Sequence, residues 1–226
     1  MLKLAPILLA LLYGVAAYHF SAWRTKRELD ARSAELADPR LRVLTAKLAE
    51  ALDVDRITVN LYEVAPVNGL AAPDGRIFLT RGFYDKYRAG EVTAEELTSV
   101  IAHELGHVAL GHSRRRMIDF SGQNALRVGL AAVLSRFIPG FGVLLAGLLT
   151  SLLAARLSRQ DEYEADAYAA ALLNKAGIGT APQISLFRKL GALTGSRAPA
   201  PAWLLSHPAT DDRIRAIEAM DARWRS

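Results

Sequence analysis

The apolar and polar positions of this chain change period several times, and each change predicts an element. Leu4 to Trp23 is an almost unbroken apolar run. About 20 residues make a helix of about 30 Å, enough to cross the hydrocarbon of a bilayer, with Tyr18, Phe20 and Trp23 at one interface. Residues 24–40 are charged and read as a helical or flexible connector, closed by Asp38-Pro39 because a residue before proline avoids the helical region. Leu41 to Leu52 has helical spacing, and "ITVNLYEV", Ile57 to Val64, alternates as a half-buried strand does. "RIFLT", Arg76 to Thr80, follows the turn "APDG" and predicts a second strand, antiparallel to the first.

From Thr93 the period returns to helical, with Thr93 and Glu96 in a capping-box pattern ahead of a largely apolar helix that runs through His103 and His107. A second apolar segment, Ile138 to Ala155, is long enough to look transmembrane. Further helices are predicted up to Gly177, over Pro182 to Leu193, and in a last segment that starts with Asp211-Asp212 and ends with Arg223 and Arg225, as the helix dipole favours. The expected fold is mainly α with a small antiparallel β-sheet (α+β): an anchor over residues 4–23, the connector, and one domain over 41–226 with an apolar helical hairpin at about 117–157.

Composition narrows the partners. At 51% hydrophobic and 23% charged the chain is not disordered. The net charge of +5 comes from scattered Lys and Arg with no aromatic-basic strip, which argues against nucleic acid. Anionic lipid headgroups suit "WRTKR", Trp23 to Arg27, better. There is no cysteine, hence no disulfide and no thiolate ligand. A cleaved signal is the rival to the anchor, since Lys3 precedes the run and Val15-Ala16-Ala17 resembles a cleavage site, but the run is long for that purpose. Arg24, Lys26 and Arg27 after the run outnumber Lys3 before it, which places the body in the cytoplasm. Signal cleavage would instead place it on the periplasmic or another extracytoplasmic side, or release it as a secreted protein.

The chemistry concentrates in "HELGH". His103 and His107 are four apart, so both imidazoles can reach one ion from one helix face. Glu104 lies beside them, placed to take a proton from water without ligating. His112, five residues past His107, turns off that face and reads as structural. Zinc takes at least three protein ligands, and the acidic cluster Asp161, Glu162, Glu164 and Asp166 lies downstream. Glu162 and Asp166 share a helix face, so one can coordinate and the other orient a histidine, although spacing alone fits a solvated acidic face equally well.

"HELGH" followed by "SRQDEYEAD", with "NGLAAPDGRIFLTRG" upstream and "SHPATDDRI" downstream, resembles the membrane-protease family of HtpX, the Ste-type CAAX prenyl protease and the Oma-type zinc metalloendopeptidases, from about Leu41 to Ile217. The resemblance implies a zincin-like domain with one Zn2+ per chain, held by His103, His107 and Glu162, with Asp166 supporting a ligand histidine. It also implies that His207 helps hold the substrate or oxyanion, and that Arg213 supports the acidic motif. The family's Asn-Ala-Phe-Ala and Gly-Gly turn are here Asn68-Gly69-Leu70-Ala71 and Asp74-Gly75, a departure at the strand expected to bind substrate by strand addition.

Three ligands must share one side of any membrane, so a single crossing between His107 and Glu162 is excluded. A paired crossing would need a partner span near Met117 to Arg136, which carries Asp119, Arg127 and Arg136. A hairpin turning near Pro139-Gly140 is therefore expected to pack on the body or dip into the membrane surface. The expected activity is that of a membrane-tethered zinc endopeptidase acting on protein or peptide substrates, membrane-associated ones above all, in quality control or processing. The rival from another class is a catalytically silent, metal-stabilised scaffold or chaperone-like protein.

Overall fold

The computed structural model of the chain describes residues 5–72, 74–112, 127–131, 133–138, 140–194, 207–208 and 211–225. It divides into two compact units, Met1–Arg27 with Gly111–Asp161, and Glu28–Leu110 with Glu162–Ser226.

The second unit carries the chemistry. Its frame is a four-stranded sheet in the order β1-β2-β4-β3, from β1 (Ser33–Glu35), β2 (Val59–Tyr62), β3 (Gly69–Ala71) and β4 (Ile77–Thr80). β1 is antiparallel to β2 and β3 antiparallel to β4, but β2 and β4 run parallel, with Val59 opposite Ile77. The sheet is thus mixed, not antiparallel as expected. Parallel neighbours need a crossover; here the chain passes beyond the position of β4, forms β3, and turns back at Gly75 (φ 86°) to lay β4 between β2 and β3.

Helices cover one face. α2 (Pro39–Leu52) starts on Asp38, whose carboxylate accepts from the Arg40 and Leu41 N–H groups with Pro39 in the first turn. The same carboxylate accepts from the Tyr84 and Tyr87 hydroxyls of α3 (Arg81–Arg88). α4 (Ala94–Ala109) has the expected capping box between Thr93 and Glu96. Glu96 is buried, and its carboxylate also takes the Ser185 hydroxyl and Lys189 ammonium of α6 (Ala181–Thr194). Leu48, Leu79, Leu97, Ile101, Leu173, Leu186 and Ile217 form the core around α4, the last from α7 (Asp211–Arg225). The other sheet face buries Phe78 and Ala72 against Leu29, near the end of α1 (Ala5–Arg32), with Leu70 partly buried beside them.

The expected anchor over Leu4–Trp23 falls largely on side chains outside the described residues. The arm of the expected hairpin from Met117 to Asn124 lies wholly outside them. In the first unit, helical residues 127–131 and 133–137 lead to a turn at Gly140 (φ 87°) and into α5 (Gly142–Lys175). The apolar segment and the acidic helix, read as separate elements, are one continuous helix. Among the described residues it is the one helix long and apolar enough to cross a membrane, by length and composition.

Candidate metal centre

Two helices build the centre. α4 supplies His103, Glu104 and His107, and the part of α5 within the second unit supplies Glu162 and Asp166. They approach closely where their side chains are smallest. A methyl group added to Gly106 would lie 3.0 Å from the Ala165 carbonyl oxygen and 3.1 Å from its Cα. That contact lets short imidazole and carboxylate arms meet across the pair.

The donor atoms converge. His103 Nε2 lies 3.1 Å from His107 Nε2 and 3.3 Å from Glu162 Oε2, and His107 Nε2 lies 3.5 Å from Glu162 Oε1. Bonds of about 2.0–2.1 Å to a tetrahedral zinc ion imply donor-to-donor edges of about 3.3–3.4 Å. The two Glu162 contacts are made by different carboxylate oxygens, and the three spacings lie close to that value, so the residues fit such an ion. His207 joins them, with Nδ1 3.3 Å from His103 Nε2 and 2.8 Å from Glu162 Oε2, and Nε2 3.6 Å from Glu104 Oε1. All four are buried.

Electrostatics agrees. Glu104, Glu162 and Asp166 are three buried carboxylates beside one buried guanidinium, Arg213. Burial alone would lower the His103 pKa, but hydrogen bonds to Asp166 and Glu162 outweigh it and lift the pKa to about 9. Burial likewise opposes ionisation of Glu162, yet His103 and His207 hold its carboxyl far below the usual range. Such a cluster draws in positive charge, as a proton or a metal cation, and the aimed lone pairs of two imidazoles and a carboxylate are the donor set of a metal.

Asp166 and Arg213 pack against this group. Asp166 Oδ1 lies 3.0 Å from His103 Nδ1, which turns the other ring nitrogen toward Glu162 and His107. Arg213 donates through Nε to Asp166 Oδ2 (2.6 Å) and through Nη2 to Asp166 Oδ1 (2.8 Å). Burial disfavours the Asp166 carboxylate, and Arg213 and His103 more than offset it, so its pKa is lowered. Arg213 also donates to the Pro208 carbonyl (2.7 Å), next to His207, and stacks 4.7 Å above the Phe187 ring. Phe187, Gly106 and Gln183, whose side-chain amide reaches the Asp166 carbonyl at 3.4 Å, escaped the sequence reading. Only Gly106, a glycine inside a helical pattern, carried a signal. His112 is outside the donor group and pairs with Asp161 at 3.9 Å.

The segment Asn68–Ala71 borders this centre. The Thr80 N–H donates to the Asn68 carbonyl, and the Ala72 N–H to the Arg76 carbonyl. Antiparallel alternation then turns the backbone groups of Leu70 toward β4 and those of Gly69 and Ala71 toward the open edge. A Cβ on Gly69 would be 3.8 Å from Glu104 Cγ, so the edge runs beside the glutamate.

Residues 35–221 match the family model described as Peptidase family M48. Metalloprotease LoiP of Escherichia coli (strain K12) is 31% identical over 178 residues, 79% of this chain and 68% of that protein. The Protease HtpX homolog of Bordetella avium (strain 197N) is 28% identical over 208 residues, 77% and 68% of the two chains. Mitochondrial metalloendopeptidase OMA1 of Schizosaccharomyces pombe is 30% identical over 158 residues, 67% of this chain and 42% of its own. A family match over most of the length, relatives named as metalloproteases and a buried donor set of two histidines and a glutamate lead to one conclusion: the chain belongs to peptidase family M48 and is a metal-dependent peptidase.

Proposed function

We propose that this chain is a membrane-tethered, zinc-dependent endopeptidase in which His103, His107 and Glu162 hold the ion. The observation that carries the reading is the convergence of those three donors at tetrahedral spacing beside the Glu104 carboxylate. Zinc in that position supplies Lewis acidity, which makes water a nucleophile near neutral pH and polarises a peptide carbonyl. Glu104 takes the proton of the attacking water and returns it to the departing amine. Asp166 fixes the His103 ring, and Arg213 fixes Asp166. His207, steadied through the Pro208 carbonyl, offers an N–H to the developing oxyanion. An extended peptide adds to the open edge of β3 through Gly69 and Ala71, so recognition rests on backbone.

The apolar N-terminal run and the exposed leucines of the first half of α5 support attachment to a membrane, and the arginines after the run favour a cytoplasmic body. Substrates are then protein chains at the membrane, taken in quality control or processing. The test is metal analysis of purified protein together with casein cleavage. About one zinc per chain is expected, and Glu104→Gln keeps the zinc while cleavage falls about 10²–10⁴-fold. Protein without stoichiometric zinc, or a Glu104→Gln variant that still cleaves, defeats the reading.

A further inference from the structure

We infer that Phe137 to Leu153 is an in-plane membrane anchor that occupies one leaflet of an anionic bilayer. The inference rests on the membrane reading of the chain and is independent of the peptidase reading.

The segment is packed inside out. Along α5, Gly142, Ala146 and Thr150, spaced four apart, are buried, while Val143, Leu144, Leu148 and Leu152 are each more than half exposed. A helix in water does the reverse and buries its leucines. Small residues inward and large apolar residues outward is the arrangement of a helix solvated by lipid. At the turn, Phe137 and Phe141 are 75% and 64% exposed, well beyond what a water-facing loop tip needs.

The backbone suits an apolar phase, where every polar group needs an internal partner. The Ile138 N–H donates to the Leu134 carbonyl, the Phe141 and Gly142 N–H groups to the Ile138 carbonyl, and the Leu145 N–H to the Phe141 carbonyl. The Thr150 hydroxyl donates back to the Ala146 carbonyl at 2.8 Å.

Length and charge set depth and lipid class. The uncharged part of α5, Gly142 to Ala155, spans about 21 Å as a helix, short of the roughly 30 Å of a hydrocarbon core, so a crossing by α5 would draw Arg156 and Arg159 into the apolar phase. The residues before the turn carry exposed Arg127 and Arg136, which a crossing arm would have to bury. No charged residue lies between Arg136 and Arg156, and no acidic one between Asp119 and Asp161. Exposed Arg136, Arg156 and Arg159 therefore rim the apolar face with positive charge alone. Anionic headgroups match that rim, whereas a second copy would set like charges against each other.

The chain has no cysteine, so single-cysteine variants of the full protein report one site each. Nitroxide labels on Leu144→Cys, Leu148→Cys and Leu152→Cys are expected to collide with lipid-soluble oxygen rather than a water-soluble nickel chelate in phosphatidylcholine vesicles. They should sit deeper when phosphatidylglycerol is added, and that added depth should vanish in the Arg136→Gln/Arg156→Gln/Arg159→Gln background. A membrane-impermeant maleimide should not reach Gly140→Cys from the far side. Free access of the chelate to all three labels, modification of Gly140→Cys from the far side, or short label-to-label distances between copies irrespective of lipid would each overturn the inference. Those outcomes leave zinc content and casein cleavage untouched, so failure here is distinct from failure of the peptidase reading.

Discussion

Replacing Arg213 with methionine keeps most of the side-chain volume and removes the buried guanidinium beside Asp166 and Glu162. The guanidinium is 3% exposed and donates two hydrogen bonds to Asp166 and one to the Pro208 carbonyl. At about 1.5–3 kcal/mol for each charge-assisted bond the gross loss is about 5–9 kcal/mol. These bonds are not additive, and breaking buried ion pairs typically costs about 3–5 kcal/mol, because the partner is left charged and unpaired. Against a total stability of about 5–15 kcal/mol this is a large fraction. Urea unfolding of the metal-free protein in detergent micelles is the assay. Arg213→Met should lose about 3–5 kcal/mol, and Arg213→Met/Asp166→Asn much less than the sum of the single losses, since the double variant leaves neither member of the Arg213–Asp166 pair charged without the other. Arg213→Lys should recover little, because an ammonium cannot reproduce the two-pronged contact. A loss under about 1 kcal/mol in the single variant, or simple additivity in the double, would show that the pair is not the buried, coupled unit described.

Glu162→Ala should abolish stoichiometric zinc binding while Glu164→Ala retains it; equal zinc loss in both would reject the ligand assignment. Gly106→Val places bulk against the Ala165 backbone, so it should cost about 1–3 kcal/mol and weaken zinc in a chelator competition; wild-type affinity would mean that the helices need not approach so closely. For Glu96, burial favours the neutral acid, but hydrogen bonds from Lys189, Ser185 and the Thr93 N–H win and lower its pKa below 4.5. Its stabilisation is therefore complete above pH 4.5 and lost as the pH falls through the folded-state pKa. Glu96→Gln should accordingly be less stable than wild type at pH 7, with the gap in thermal unfolding closing in acid; a gap constant with pH would refute the ionic role.

Local chemistry was legible wherever a residue type does one thing. Thr93 with Glu96 starts a helix in the structure as the spacing implies, and Asp38-Pro39, read as a boundary, lies where α2 begins. The four-residue interval of His103 and His107 placed both rings on one face. What stayed hidden depends on partners far away in sequence. β1 has three residues, none buried, and no alternation to betray it. The parallel pairing of β2 with β4 depends on β3, too short to announce itself between them. α5 was read as two elements because polarity changes at Arg156, yet nothing near there breaks a helix. Phe187 looked like any apolar helix residue, because its role comes from the guanidinium above it.

The contact between Gly106 and Ala165 explains why two helices suffice for this centre. Gly106 lies between His103 and His107, and Ala165 between Glu162 and Asp166. A close contact of the two backbones therefore falls among the groups that must meet. Where two packed helices change their angle about such a contact, atoms near it move least and those at the ends move most. The donors are thus held by a backbone contact between the two smallest kinds of residue, in helices whose interiors are close-packed and resist compression. Asp166 adds a second constraint from the same turn: because it bonds both His103 and Arg213, sliding α5 along α4 would disturb ligand and supporting carboxylate together. Substitutions that change how the helices end should consequently be milder for zinc affinity than any that adds bulk at residue 106 or 165.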